Sequence, residues 1–249
     1  MKDFTLIAFE KLLKTLQKEG YHFVTFENFL TTKPQGKQVI LRHDVDKRPK
    51  NSLRTAQIEH ALGIKGVYYF RIVKESNVPK IIKAIANLGH EIGYHYEDMA
   101  LVNGNIEKAL QSFEKNLMYF RTFYPVKTIC MHGSPMSKWD NKEIWKKYNY
   151  KDYGLIGEPY FDIDFNKFLY LTDTGRTWNG EKVSVRDKVT CGYHFEFETT
   201  EDIINAVHKL PDQIMITTHP QRWTNNNTEW MVEYVLQNSK NFIKRIIAS

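Results

Sequence analysis

Cysteine is nearly absent: Cys130 and Cys191 are the only two in 249 residues, and they form no C-x-x-C pair. That excludes a disulfide framework and a cysteine-built zinc site, and it fits a reducing compartment. Long apolar runs are missing too. The opening MKDFTLIAFEKLLKTLQKEG sets Lys and Glu among its apolar positions, which leaves no secretory leader or membrane anchor there and reads as cytoplasmic. No block of like charge occurs, because 35 basic residues are dispersed among 29 acidic ones. A net charge of +6 therefore describes a solvated surface rather than a nucleic-acid footprint, which needs clustering. A groove for anionic sugars remains compatible with it. The chain also lacks a Walker loop and a G-x-G-x-x-G after its first strand, so a nucleotide cofactor has no phosphate cradle. Its HGSP turn is not the G-x-S-x-G elbow of a serine hydrolase.

What is present is ordinary globular composition, with 42% hydrophobic and 26% charged residues. Phe4, Ile7, Leu12, Leu13 and Leu16 recur mostly at helical intervals and stop at Gly20, which predicts an amphipathic N-terminal helix. A short apolar strand, Gln38–Leu41, then runs into the polar cluster Arg42–Asp46. Alternation follows: helix Ser52–Leu62, strand Gly66–Arg71, helix Val78–Leu88, a strand through Glu91–Tyr94, helix Ile106–Phe120, strand Lys127–Met131 and helix Asn141–Tyr148. Further strands are predicted at Gly154–Ile156, Phe168–Leu171, Val183–Val185 and Gln213–Thr217, before a closing helix Thr228–Ile247. Such βα repetition implies a mainly parallel sheet in one domain over 1–249, with an N-terminal helical flank at 1–35 and a core at 36–249. Function in these folds gathers at the carboxyl ends of the strands. Five polar clusters sit there: Arg42–Asp46, His95–Asp98, His132–Ser134, Asp173–Arg176 and His219–Arg222.

Asp44 and Asp46 are two apart, so persisting strand geometry turns both carboxylates to one side, one to bind metal and the other to accept a proton. The bland alternative is that they cap the helix after Pro49. His95, in GHEIGYHYED, suits a divalent ion with nitrogen and oxygen ligands, zinc first among them. His90, ahead of its strand, reads as structural. His132, in the turn CMHGSP, offers an imidazole from a neighbouring strand end, while Glu97 and Asp98 lie close to His95 in sequence. Arg176, Trp178, Arg222 and Trp223 supply guanidinium and indole surface suited to sugar rings and anionic groups, and the two tryptophans fit a core equally well.

HDVD after the first core strand, GHEIGYH some fifty residues later and ITTHP near the end resemble the polysaccharide deacetylase, or NodB-homology, group of carbohydrate esterases over about residues 38–222. The resemblance implies a distorted (β/α) barrel of seven or eight mainly parallel strands. It implies Asp44 as catalytic base, Asp46 and His95 as metal ligands, and His219 as general acid, for which Asp173 in YLTDTGRTW is the candidate partner. The family's second metal-binding histidine falls at position 99, which here is Met99, a poor ligand for such an ion. The third ligand is then expected from His132, with Glu97 as the alternative.

The expected activity is metal-dependent removal of an N-acetyl or O-acetyl group from an acetylated sugar or glycan precursor in surface-polysaccharide biosynthesis, with one divalent ion, zinc preferred. Two alternatives stand beside it: a glycan-binding module that keeps the fold without catalysis, and a hydrolase of another C–N bond such as a cyclic amide. No nucleic-acid partner and no integral membrane segment are expected.

Overall fold

β-strand alternation decides what faces inward. The computed structural model describes residues 2–178, 186 and 189–248, the side chains of 243–248 excepted. In chain order it runs α1 (Leu6–Lys18), β1 (His22–Val24), α2 (Phe26–Thr32), β2 (Gln38–Val45), α3 (Pro49–Ala61), β3 (Val67–Phe70), α4 (Pro79–Asn87) and β4 (Glu91–Tyr96). There follow α5 (Asp98–Leu101), α6 (Ile106–Arg121), β5 (Ile129–Met131), α7 (Pro159–Asp162), β6 (Leu169–Thr172), α8 (Thr200–Ala206), β7 (Gln213–Thr218) and α9 (Asn227–Ala248). The strands pair in the order β5-β4-β3-β2-β7-β6, with β1 added beside β2. Every pairing is parallel. The sheet curls into an open half-barrel with helices around it, the distorted (β/α) barrel expected from the sequence, here with seven strands among the described residues.

Local chemistry starts and stops the helices. Thr5, Thr25 and Asn105 accept a backbone N–H at the starts of α1, α2 and α6, and Thr199 forms a reciprocal capping box with Asp202 at α8. Proline opens α3, α4 and α7, where its missing N–H costs nothing.

Side chains one residue apart on a strand point to opposite faces. Outward on β2, Val39 and Leu41 join α1, α8 and β7 residues in one core cluster. Outward on β3 and β4, Tyr68, Phe70, Ile92, Tyr94 and Tyr96 join α6 in a second. The concave side holds the third cluster, including Ile40, Val67, Tyr69, Cys130 and Met215. Gly93 is required on that side, since a Cβ there would stand 2.3 Å from the Tyr69 ring.

Several expectations change in detail. The strand predicted at Gly154–Ile156 reduces to a single bridge between Thr128 and Gly157, and the helix predicted at Asn141–Tyr148 is a tighter 3₁₀ segment, Asn141–Lys146. The strand predicted at Val183–Val185 lies outside the described residues. His43, which flanks the paired aspartates in sequence, faces away from them: its ring stacks 4.1 Å from Tyr68 and its Nε2 lies 2.9 Å from the buried Glu59.

Candidate active site

The even-numbered positions of β2 put Ile40, Arg42 and Asp44 on the concave side, and the next residue in that series, Asp46, follows the strand end. The same alternation turns His95 of β4 inward opposite Cys130 of β5, because those two are register partners. His132 comes two residues after Cys130, so it returns to the same face beside His95, with the two rings 5.1 Å apart. His219 follows β7 and Asp173 follows β6. Five strand ends thus deliver polar side chains to one rim.

Asp46, His95 and His132 each place a ligand-type atom within 4.8 Å of the others. His95 Nδ1 lies 2.9 Å from the Cys130 carbonyl, to which it donates, leaving Nε2 as a lone pair 3.7 Å from Asp46 Oδ1. His132 Nδ1 lies 3.1 Å from Glu97 Oε2, and its Nε2 is 3.4 Å from the same Asp46 oxygen. That Oδ1 is buried and has no hydrogen-bond partner among the described residues. A tetrahedral ion with bonds of ~2.1 Å holds its ligand atoms about 3.4 Å apart. Two Nε2 atoms around an orphaned carboxylate oxygen at nearly that spacing fit a zinc-like ion, each imidazole fixed by a partner on its other nitrogen. A second grouping, Asp44, His95 and Cys130, fits less well, because both Asp44 oxygens are already taken by Arg42.

Charge balance agrees with this division. Burial lowers the His95 pKa to about 4 against the pull of Asp44 and Asp46, so the ring is neutral and ready to ligate. Burial also opposes the Asp46 charge, but His132, His219, His95 and Arg71 overcome it and hold the carboxyl well below the usual range. Glu97 is lowered to about 2, burial again outweighed, by the His132 N–H and the Arg71 fork, whose Nε and Nη2 donate at 2.9 and 2.7 Å. Glu97 therefore stands behind His132 as its hydrogen-bond partner.

Asp44 is 3% exposed and receives Arg42 Nε and Nη2 at 2.8 and 2.6 Å. Burial would raise its pKa, yet Arg42 and His95 hold it below the ordinary value, so it stays ionised. His95 Nε2 is 3.7 Å from Asp44 Oδ2, which sets Asp44 against one side of the candidate ligand group. On another side His219 Nε2 lies 3.9 Å from Asp46 Oδ2. His219 Nδ1 donates to Asp173 Oδ1 at 2.6 Å. Burial and the Arg222 guanidinium disfavour a charged His219, but Asp173 and Asp46 prevail and its pKa is raised. Asp173 is itself fully buried and also accepts Arg222 Nη1 at 2.6 Å and Trp223 Nε1 at 2.7 Å.

The four residues expected to contact a sugar are engaged in packing within the protein. Trp178 and Trp223 lie in the first core cluster with Phe4, and Trp223 is completely buried. Arg222 is spent on Asp173. Arg176 packs its guanidinium 4.3 Å over Trp230 of α9. Trp178, Arg222 and Trp223 are thus buried, and Arg176 is half-buried against α9. Met99 is buried in the second core cluster. Among the described residues, a cleft of about 670 Å³ runs from His132, Glu97 and Arg71 out to Leu101, Met136 and Trp139. None of those outer residues stands out in the sequence. Arg42 is different, for its position two before Asp44 on one strand already places it on the same face.

No family model matches the chain, and no curated protein matches it. Solved structures similar to it include a Streptococcus mutans CE4 esterase, 12% identical, with a TM-score of 0.48, covering 92% of this chain and 90% of that one. A family 4 carbohydrate esterase from Streptomyces lividans in complex with acetate is 15% identical, with a TM-score of 0.44, and the match covers 83% of this chain and 90% of that one. A CE4 family pseudoenzyme from Bacillus anthracis is 17% identical, with a TM-score of 0.44; the match covers 83% of this chain and spans 62% of the length of that one. These are likenesses of fold.

Proposed function

We propose that the chain is a metal-dependent hydrolase that removes an acetyl group, N-linked or O-linked, from a sugar of a surface-polysaccharide precursor. The observation that carries the reading is the buried Asp46 Oδ1, without a hydrogen-bond partner among the described residues and faced by the Nε2 atoms of His95 and His132, with Asp44 and His219 on its flanks. The sugar class rests on the resemblance of HDVD, GHEIGYH and ITTHP to the polysaccharide deacetylases.

When bound, a divalent ion such as zinc polarises the substrate carbonyl and lowers the pKa of water toward neutrality. The remaining work falls to this chain's own groups. Asp44, kept ionised by Arg42, takes a proton from the attacking water. His219, with Nδ1–H fixed on Asp173, carries its transferable proton at Nε2 and gives it to the departing amine or alcohol. Base and acid must hold opposite protonation states at one pH, and the depressed Asp44 and raised His219 do so. The cleft beside His132 admits the rest of the sugar.

The test is metal analysis after chelation and zinc return, combined with acetate release from N-acetylated and O-acetylated sugars. Wild type should retain about one zinc and release acetate. His95→Ala should lose both, and Asp44→Asn should keep the metal while losing ~100-fold or more in rate. Equal, negligible zinc in wild type and His95→Ala would return the chain to the glycan-binding alternative.

A further inference from the structure

α9 is built the wrong way round for a helix that merely covers a domain. A surface helix ordinarily buries an apolar stripe and turns its polar residues to water. Here the inward face carries Glu233, 2% exposed and bound by Lys47 at 3.0 Å, with Gln237 also buried and Asn241 donating to the Gly175 carbonyl. The outward face carries Met231, Val232, Tyr234, Val235, Leu236 and Phe242. Those six are the majority of the eleven large apolar residues exposed among the described side chains, so the pattern belongs to this helix and not to the surface in general. From 231 to 242 the stripe is ~17 Å long at 1.5 Å per residue.

We propose that this face docks onto an anionic phospholipid surface. Charge selects the occupant. From 238 to 247 the chain holds Lys240, Lys244 and Arg245 and no carboxylate. Both acidic residues of α9 are already engaged, Glu229 by Thr224 at 2.8 Å and Arg54 at 3.4 Å, Glu233 by Lys47. Lys2, exposed, sits at the start of the helix over the Trp230 ring. A second copy would bring no free carboxylate on α9 to answer those cations. Six partly exposed side chains of this size offer roughly 500–600 Å², short of the ~800 Å² per partner of a standard specific interface. A lipid surface supplies the countercharge and needs no complementary shape. Because Lys47 follows Asp46 directly, a docked α9 holds that rim of the barrel close to the lipid.

The inference makes no use of hydrolysis and is tested without it. The full chain is mixed with phosphatidylcholine vesicles, with and without phosphatidylglycerol, and bound protein is measured by flotation. Wild type should float with the anionic vesicles only, and release when salt is raised to about 1 M, where screening shortens to ~3 Å. The combined variant Met231→Ser, Val235→Ser, Phe242→Ser should keep the wild-type melting temperature and lose binding at least ~100-fold, each apolar side chain withdrawn from water being worth roughly tenfold in affinity. Lys240→Glu should weaken binding to anionic vesicles without touching the apolar stripe. Failure of wild type to float, undiminished binding by the serine variant, or a dimer in sedimentation velocity that the serine variant dissolves would each overturn the proposal.

Discussion

The sharpest prediction concerns where the third metal ligand comes from. His132→Ala removes the Nε2 that lies 3.4 Å from Asp46 Oδ1 and leaves two protein ligands. Losing even a supporting partner of a ligand commonly costs ~10–100-fold in affinity, so losing the ligand should cost more than ~100-fold in a zinc titration against a competing chelator. Glu97→Gln should fall within that smaller range, since it removes only the carboxylate behind His132 Nδ1. Met99→His tests the opposite view. Met99 is 4% exposed and packs in the cluster that contains Tyr96, Ala109 and Phe113. An imidazole there buries a polar N–H without a partner, a cost of ~1–3 kcal/mol. With a urea slope of ~2–3 kcal/mol/M this lowers the unfolding midpoint by roughly 0.3–1.5 M, and zinc affinity should not rise. If His132→Ala binds zinc like wild type, or if Met99→His restores binding to His132→Ala, the reasoning fails.

Arg42→Met should destabilise by ~3–5 kcal/mol in urea unfolding, because it strands a buried carboxylate whose two oxygens Arg42 now occupies. Asp173→Asn should lower the His219 pKa, since Asp173 contributes more than Asp46 to overcoming burial and Arg222, and the alkaline limb of the acetate-release profile should move to lower pH. An unmoved limb would remove His219 from the acid role. Glu91, fully buried, has its pKa raised by burial from 4.5 to about 7 despite hydrogen bonds from Thr128 and the Glu27 amide. Between those values the folded state binds the extra proton, so stability should decline by ~3 kcal/mol as pH rises from ~4.5 to ~7 and stay level above. Glu91→Gln should melt with a visibly flatter pH dependence across that window.

Much of the site was legible because strand chemistry has a period of two. Asp44 and Asp46 share a face for the same reason that Arg42 joins them, and the polar clusters mark strand ends before any coordinates are known. The tryptophans show where that reasoning stops. Trp178 and Trp223 stand beside polar loops in sequence, yet both indoles fill the space between α1 and the sheet, and the Trp223 N–H completes the partners of Asp173. Composition cannot tell an indole that braces a carboxylate from one that stacks on a sugar, because both need an apolar face and one donor. Short elements were equally hard to read: β1 is three residues long and exists through its pairing with Gln38–Ile40, a long-range contact with no local signal.

The proposed ligand role of His132 follows from parallel pairing. In the arrangement implied by the resemblance, two histidines four apart supply both nitrogens from one segment, which requires residue 99 to turn back toward the ligand group. Here α5 spans only Asp98–Leu101, and its hold on the fold comes from elsewhere: Asp98 accepts Tyr94, Ser112 and Asn116 side chains, while Met99 seals the apolar layer beneath α6. That anchoring commits position 99 to packing. Neighbouring parallel strands lie ~4.8 Å apart, so a residue at the end of β5 can take the vacated direction if the register is right. His95 pairs with Cys130, and the next inward position on that strand's continuation is His132. Nothing in the linear spacing of 37 residues between His95 and His132 reveals this, because the pairing register sets it. A search for metal ligands in related folds should therefore run along register partners as well as along helical intervals.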